Sequence, residues 1–189
     1  MKAALTDYRV TPLRKVMVTH SPEHLSRILS SFSCERDKDV ESFLKEKAIV
    51  QEKKQISRTY LIFTTDPLPE LVTYFTVAVN SMDVTDLECS NELRKKMNIN
   101  RGLAQSYLIG QIGKRDGGQK GLGEFAISSA VDLITEANVR VGCRLIRLDC
   151  KRPLIKYYTD NGFTLAGKNR DGDLYQMVRI VSEASFAPS

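Results

Sequence analysis

A glycine-rich loop between a strand and a helix constrains this chain more than any other feature. The loop, Arg115–Gly123, follows the run Ala104–Lys114, which is predicted as a strand. A strong helical pattern opens directly from it, with apolar residues at Leu122, Phe125, Ala126, Ala130, Leu133, Ile134 and Ala137. Glycine lets the backbone approach an anion closely, and the free amides at a helix start point toward it. The segment therefore predicts a phosphate-binding loop, with a plain flexible turn as the alternative.

Two familiar phosphate loops fit poorly. A Walker A loop needs Lys followed by Ser or Thr at the helix start, whereas Glu124 and Phe125 follow Gly123 here. The segment Gly121–Ala126 does match the G-x-G-x-x-A dinucleotide pattern. However, only one further parallel strand and a hairpin fit after it, which is too little chain for a doubly wound half-domain. The sequence excludes the first type of loop and disfavours the second.

The remaining elements are predicted from apolar periodicity and turn residues. Residues 1–12 are expected to be a loose lead-in and residues 183–189 a loose tail. Predicted helices begin at Ser21-Pro22 and cover about Asp39–Lys54, Asn91–Met97 and Pro153–Asp160. Predicted strands, besides the one before the loop, are Lys15–Thr19, Arg58–Thr64, Leu71–Asn80, Cys143–Cys150, Phe163–Gly167 and Leu174–Val181. The last two form a hairpin around Asn169–Gly172.

The order of these elements predicts the fold class. The strand before the loop and Cys143–Cys150 must run parallel, because a connection with a helix returns in the same direction. The flanking strands form antiparallel hairpins. We therefore expect an α/β fold of the α+β type, with a mixed, mostly antiparallel sheet and one parallel strand pair, in a single domain over residues 1–189.

Composition sets further bounds. The chain has 189 residues, a formal net charge of +5, 42% hydrophobic and 27% charged residues, which is too apolar for a disordered protein. No apolar run approaches the roughly 20 residues that a membrane span needs, and no signal peptide is recognisable. We expect a cytoplasmic protein with no membrane partner. The four scattered cysteines are expected to be reduced, and no residue cluster predicts a metal site.

Two motifs carry a resemblance to a known family. Gly118-Gln119-Lys120-Gly121-Leu122-Gly123 resembles the Q/R-x-x-G-x-G/A loop of the GNAT superfamily, the Gcn5-related N-acetyltransferases, which cradles the pyrophosphate of acetyl-CoA. The first position of that loop is Gly118 here, and a glutamine stands one step later. Independently, Tyr157–Phe163 resembles the family's Y-x-x-x-G-F segment. As in the family, it comes after the strand that follows the loop helix. The resemblance implies a GNAT-like sheet with helices on both faces.

The resemblance also implies site residues. Acetyl-CoA would be bound by Gly118, Gln119, Lys120, Gly121, Leu122, Gly123, Lys151 and the backbone of Ile112 and Lys114. Tyr158 would be the catalytic proton donor to the leaving thiolate, with a merely packed tyrosine as the alternative. Lys151 stands where many relatives carry an asparagine that touches the cofactor, so it either meets a phosphate or is solvated. No general base is evident, since His20 and His24 are far from the loop and do not form a ligand pair.

The implied activity is acetyl transfer from acetyl-CoA to a primary amine of a small molecule, a protein or an aminoacyl-tRNA. Three segments look like the subgroup of toxin acetyltransferases that modify charged tRNA: Phe43–Ala48, Ser57–Tyr60 and Tyr107–Lys114. The alternative is a non-catalytic GNAT-shaped module that binds acyl-CoA or RNA. The acceptor and the oligomeric state stay open, with a homodimer as one assembly.

Overall fold

A computed structural model describes residues 8–85, 87, 89–169 and 172–181. Its strands are β1 (Tyr8–Pro12), β2 (Arg58–Thr64), β3 (Leu71–Asp83), β4 (Leu103–Lys114), β5 (Leu145–Cys150), β6 (Thr164–Lys168) and β7 (Tyr175–Ile180). They form a sheet in the order β1-β2-β3-β4-β5-β7-β6. The pair β4–β5 is parallel, while β1–β2, β2–β3, β5–β7 and β6–β7 are antiparallel. This confirms the predicted mixed, mostly antiparallel sheet with one parallel pair.

Helices lie between most of the strands. They are α1 (Leu13–Thr19), α2 (Pro22–Ser30), α3 (Lys38–Ser42), α4 (Ala48–Lys53), α5 (Asn91–Lys96), α6 (Leu122–Arg140) and α7 (Ile155–Asp160). A π-helical turn, Phe43–Lys47, joins α3 to α4, and a 3-10 turn, Arg152–Leu154, precedes α7. None of the helices in the described ranges is long and apolar enough to cross a membrane.

The chain divides into two compact units that are interleaved in sequence. The first unit comprises residues up to Ala78 together with Gly110–Ala130. The second comprises Val79–Ile109 together with residues from Val131 onward. Strands β3 and β4 and helix α6 contribute residues to both units. The single domain expected from sequence stays a prediction.

The first unit has a core shared by its helices and by β2 and β3. Leu13, Phe32, Leu44, Leu61 and Tyr74 are completely buried in it. The Tyr74 hydroxyl donates a 2.5 Å hydrogen bond to the carbonyl of Val40, so its one polar atom is satisfied. The predicted helix over about Asp39–Lys54 is confirmed as one nearly continuous helical stretch, with the π-helical turn in its middle.

The second unit has its own core, formed by Met82, Val84, Met97, Ala104, Leu145, Ala166 and Val178. Its final hairpin is confirmed, and the amide of Asn169 donates to the carbonyl of Leu174 to close it. The turn residues Arg170 and Asp171 lie outside the described residues. Strand β5 pairs with β4 on one side and with β7 on the other.

Two predictions near the N-terminus are wrong. Tyr8–Pro12 forms an edge strand paired with β2, so residues 8–12 are not a loose lead-in; residues 1–7 and 182–189 lie outside the described part. Lys15–Thr19 belongs to helix α1 and is not a strand. Leu13 and Val16, three residues apart, both face the core, and a helix places such residues on one side. Helix α2 begins as predicted, with Ser21 as its N-cap and Pro22 at its first position.

Candidate functional site

The glycine-rich loop is a compact turn that ends in the first turn of α6. Gly117 and Gly121 have positive φ angles of 68° and 97°, a region that favours glycine. The amide of Gly118 donates to the carbonyl of Arg115 at 3.1 Å, and the amide of Phe125 donates to the carbonyl of Gly121 at 2.9 Å. The amides before Phe125 belong to the helix start, where no intrahelical acceptor exists. The loop therefore offers backbone donors of the kind that an anion needs.

Gly118 is glycine for a steric reason. A Cβ atom at this position would lie 2.9 Å from the carbonyl oxygen of Arg115 and 3.0 Å from Cδ1 of Leu122. The family pattern has Gln or Arg at this first position. Here the turn is too tight for a side chain, so any ligand contact of Gly118 must come from its backbone.

The side chain of Gln119 is held by the first strand. The hydroxyl of Tyr8 donates to Oε1 of Gln119 at 2.9 Å, and the Tyr8 ring lies 5.6 Å from the ring of Phe125. The same tyrosine thus contacts both the loop and the first turns of α6. Lys120, the next residue, is exposed.

The base of the loop is fastened to two other segments of the first unit. The amide of Arg115 donates to Val72, and the amide of Asp116 donates to Ser33, at 3.0 and 2.9 Å. The carboxylate of Asp116 accepts the amide of Glu35 at 3.0 Å through both oxygens. The negative charge of Asp116 therefore already has a hydrogen-bond partner within the protein. The loop is built on a rigid base, which favours a preformed binding site.

The end of β4 is a second part of the predicted site. Thr73 donates its hydroxyl hydrogen to the carbonyl of Gly113 at 2.6 Å, and the amide of Gln111 donates to the Thr76 hydroxyl at 2.9 Å. Ile112 and Lys114, predicted to contact the cofactor through their backbone, are half-buried on this strand.

Parallel pairing of β4 is short. In the described residues it pairs with β5 only at Tyr107↔Ile146 and Leu108↔Arg147. The paired segment ends well before the strand does at Lys114. Ile112 and Lys114 therefore lie outside the segment that pairs with β5.

Tyr158 lies in α7, in the second unit. Its ring packs edge-on against Tyr157 at 5.3 Å and against Phe163 at 6.2 Å. Its hydroxyl makes no hydrogen bond within the part of the chain that the structure describes. Burial, with smaller contributions from Cys150 and Tyr157, raises the pKa of this phenol well above its ordinary value. Tyr158 thus keeps its proton at neutral pH.

Two further residues belong to the same unit. Lys151 is exposed and precedes the 3-10 turn, whose residue Leu154 donates its amide to the Lys151 carbonyl. The thiol of Cys150 is buried, and burial raises its pKa to about 11. All four cysteines are free, and no group of three potential metal ligands occurs among the described residues.

The two histidines form a pair that the sequence did not predict. His20 follows the last residue of α1, and His24 lies in the first turn of α2. Their rings stack 4.9 Å apart at 23°. The reversal of the chain between the two helices brings them together, and this reversal cannot be read from a spacing of four residues.

Comparison with solved structures identifies the fold. A tyrosine-to-phenylalanine mutant of KacT superposes with a TM-score of 0.72 at 19% identity, covering 93% of this chain and 95% of that chain. AtaT complexed with acetyl-methionyl-tRNAfMet gives a TM-score of 0.69 at 16% identity, covering 89% and 94%. AtaTR bound with AcCoA gives 0.65 at 14% identity, covering 94% and 95%. KacT and AtaT are GNAT-fold toxin acetyltransferases.

The chain has a GNAT fold. No protein-family model matches the sequence, and no curated protein sequence matches it. The GNAT fold is thus carried here by a sequence that shares few residues with those solved neighbours.

Within this GNAT fold, the predicted site residues fall into two groups. Ile112, Lys114 and the loop from Gly118 to Gly123 belong to the first unit, and Lys151 and Tyr158 belong to the second. The first group supplies backbone donors and lysine side chains. The second supplies a protonated phenol.

Proposed function

We propose that this protein is an acetyl-CoA-dependent N-acetyltransferase that acetylates a primary amine. The observation that carries the proposal is the loop between β4 and α6. Its positive-φ glycines and the free amides of the helix start suit a pyrophosphate, and the fold is one in which neighbours have been solved with acetyl-CoA bound. Lys114, just before the loop, and Lys120, within it, add positive charge.

Tyr158 supplies the proton that the reaction requires. The bound thioester presents an electrophilic acetyl carbon to the amine. The amine nitrogen forms the new C–N bond, the C–S bond breaks, and the leaving sulfur takes the phenolic proton of Tyr158. The phenolate then recovers the proton that the nitrogen releases, through water. A phenol carries its proton at neutral pH, and the burial that raises the pKa of Tyr158 keeps it protonated at the start of every cycle.

Backbone amides at the end of β4 would stabilise the negative charge on the carbonyl oxygen. Ile112 and Lys114 are the two positions assigned to this role. Preorganised amide donors of this type contribute a few kcal/mol to acyl transfer. The hydroxyl groups of Thr73 and Thr76, bonded to the backbone of this strand, hold it in place.

The acceptor that we favour is the amino group of a charged tRNA. Basic side chains of the loop, of the two elements that flank it, and of the segment that leads into and forms α7 would contact phosphates; they are Lys114, Arg115, Lys120, Arg140, Lys151, Arg152 and Lys156. Arg115 pairs with Glu70 and Lys156 with Asp160, both at 2.8 Å and both near solvent. Exposed pairs are weak and exchange readily for phosphate contacts. A structural neighbour, AtaT, was solved with acetyl-methionyl-tRNAfMet.

Release of free thiol from acetyl-CoA tests the activity. The protein is incubated with acetyl-CoA and either charged tRNA, uncharged tRNA, free amino acids or small amines. We expect thiol release with charged tRNA, falling steeply with salt at a log–log slope of roughly one per phosphate contact. Thiol release with free amines at a rate that does not change with salt concentration would favour an enzyme that acts on small molecules. Acetyl-CoA binding without release for any acceptor would favour the non-catalytic module.

A further inference from the structure

A cavity in the first unit is lined by none of the residues assigned to acetyl transfer. It encloses about 360 Å³ between β1, α1, the start of α2 and the end of β2. This volume is within the range of small-molecule sites, roughly 300–1,000 Å³. Its polar lining comes from Arg9, Lys15, His20 and His24, with Thr11 and Thr19 between them.

The charge of this cavity has one sign. Among the residues that the structure describes, its lining includes no Asp or Glu side chain. Arg9 and Lys15 make no ion pair with a carboxylate among the residues that the structure describes. Unpaired basic groups around a concave surface concentrate positive potential there and attract anions.

His20 is oriented toward a ligand role by its hydrogen bonds. The Thr19 hydroxyl donates to the carbonyl of Lys15, so it can only accept from the imidazole Nδ1 that lies 2.8 Å away. The carbonyl of Val16, 3.2 Å from the same Nδ1, also accepts. The hydrogen is therefore assigned to Nδ1, which leaves Nε2 as the ring nitrogen available to a bound group. Stacking on His24 fixes the ring further.

The opposite side of the cavity is apolar. Val10, Ile28, Phe63 and Pro69 line it, and Val10 is 37% exposed. A smaller cavity of about 170 Å³ shares three of these residues and reaches Arg115, the first residue of the glycine-rich loop. The ligand that suits such a site has a flat apolar part and an anionic group.

We propose that the cavity formed by β1, α1 and α2 binds a nucleoside phosphate. The phosphate contacts Arg9 and Lys15, Nε2 of His20 accepts a hydrogen bond from a ribose hydroxyl, and the base packs on the apolar side against Val10 and Ile28. Charge-assisted hydrogen bonds to phosphate are the strong contacts of such a site. The nucleotide is either a free mononucleotide or the phosphorylated end of a nucleic-acid strand. This inference does not depend on the proposed acetyl transfer.

The two histidines provide a local readout, because they are the only histidines in the chain. Imidazole ¹H–¹⁵N spectra of the full-length protein are recorded during titration with AMP, adenosine, inorganic phosphate and a short 5′-phosphorylated RNA. Single variants His20→Gln and His24→Gln assign the signals. We expect saturable shifts with AMP, weaker binding of inorganic phosphate and no shift with adenosine. If the RNA binds more tightly than AMP, the natural ligand is the phosphorylated end of a nucleic acid. If AMP binds and the RNA does not, the natural ligand is a free nucleotide.

A pair of charge-matched variants completes the test. The double variant Arg9→Ala/Lys15→Ala should weaken AMP binding roughly tenfold or more, the scale of one lost charge-assisted contact. Arg14→Ala/Arg27→Ala removes the same charge from exposed positions outside the cavity and should leave binding unchanged. Equal effects of the two double variants, equal binding of AMP and inorganic phosphate, or histidine signals that no probe shifts would each overturn the proposal.

Discussion

The hydroxyl of Tyr8 donates a 2.9 Å hydrogen bond to Oε1 of Gln119, across 111 positions of sequence. The same ring lies against Phe125 at 5.6 Å. The edge strand β1 therefore braces the glycine-rich loop and the start of α6 together. In the GNAT pattern a glutamine or arginine side chain stands one position earlier, where Gly118 leaves no room for one. The side chain of Gln119 instead ties the loop to β1.

Replacing Tyr8 with Phe tests this brace. The variant keeps the ring contact with Phe125 but loses the hydrogen bond, which contributes about 0.5–1.5 kcal/mol. If loop order limits cofactor binding, calorimetry should show an acetyl-CoA affinity roughly two- to tenfold lower than in the parent. Tyr175→Phe, which changes a tyrosine of the second unit, serves as the control and should bind as the parent does. Equal affinities for Tyr8→Phe and the parent would mean that the brace does not matter for binding.

Gly121 is the position at which a side chain should do most harm to cofactor binding. Its φ of 97° strains any other residue, and a glutamate there adds a charge that repels phosphate. We expect Gly121→Glu to bind no measurable acetyl-CoA. Gly142→Glu adds the same charge where a new Cβ meets nothing within 4 Å, and should bind normally. Retention of full CoA affinity by Gly121→Glu would remove the loop from the site.

The role of Tyr158 is separable from its packing. Tyr158→Phe keeps the ring and its edge-on contacts with Tyr157 and Phe163 and removes only the hydroxyl group. Single-turnover acetyl transfer should slow by about one to three orders of magnitude, the scale of a lost general acid, with acetyl-CoA affinity little changed. Tyr157→Phe should retain nearly the parent rate. A parent-like rate in Tyr158→Phe would make this tyrosine a packing residue only.

The stability of the first unit should depend on pH through Glu41. Its carboxylate accepts hydrogen bonds from the amide of Cys34 and from the side chains of Lys45 and Lys38. Together these bonds lower the pKa of Glu41 from 4.5 to about 2. A carboxylate whose pKa is lower in the folded than in the unfolded chain stabilises the folded state at pH values above its unfolded pKa. That contribution is lost as pH falls from about 4.5 toward 2.

Urea unfolding of Glu41→Gln checks this dependence. The midpoint of the parent should fall more steeply than that of the variant as pH is lowered from about 6 to about 3. Glu46→Gln, an exposed change in the same helical stretch, should behave as the parent does. Parallel curves for the parent and Glu41→Gln would show that the contacts of this carboxylate do not stabilise the fold.

Most of the fold follows from local patterns, and helix α1 shows what those patterns lack. The run from Lys15 to Thr19 contains Val16 and Val18, β-branched residues that favour strands. The structure makes it a helix because Leu13 and Val16 are buried together, while Val18 is 82% exposed. Burial against a distant strand overrides local propensity here, and a single sequence does not contain that information.

The candidate site was predictable where it is contiguous. The loop and the tyrosine segment are short motifs whose residues determine their own turns, as Gly121 and Gly162 show with φ angles of 97° and 83°. Contacts between distant segments were not predictable. The bond from Tyr8 to the loop and the stack of His20 on His24 depend on how β1 and α2 are placed, which no spacing encodes.

Transfer of a labelled acetyl group tests the central claim most directly. The protein is incubated with acetyl-labelled CoA thioester and charged tRNA, and the label is followed into the aminoacyl ester by nuclease digestion and mass spectrometry. We expect label on the amino group of the amino acid, none with uncharged tRNA, and a strongly reduced amount with Tyr158→Phe. A parent protein that binds acetyl-CoA yet transfers no label to charged tRNA, free amino acids or small amines would contradict the account.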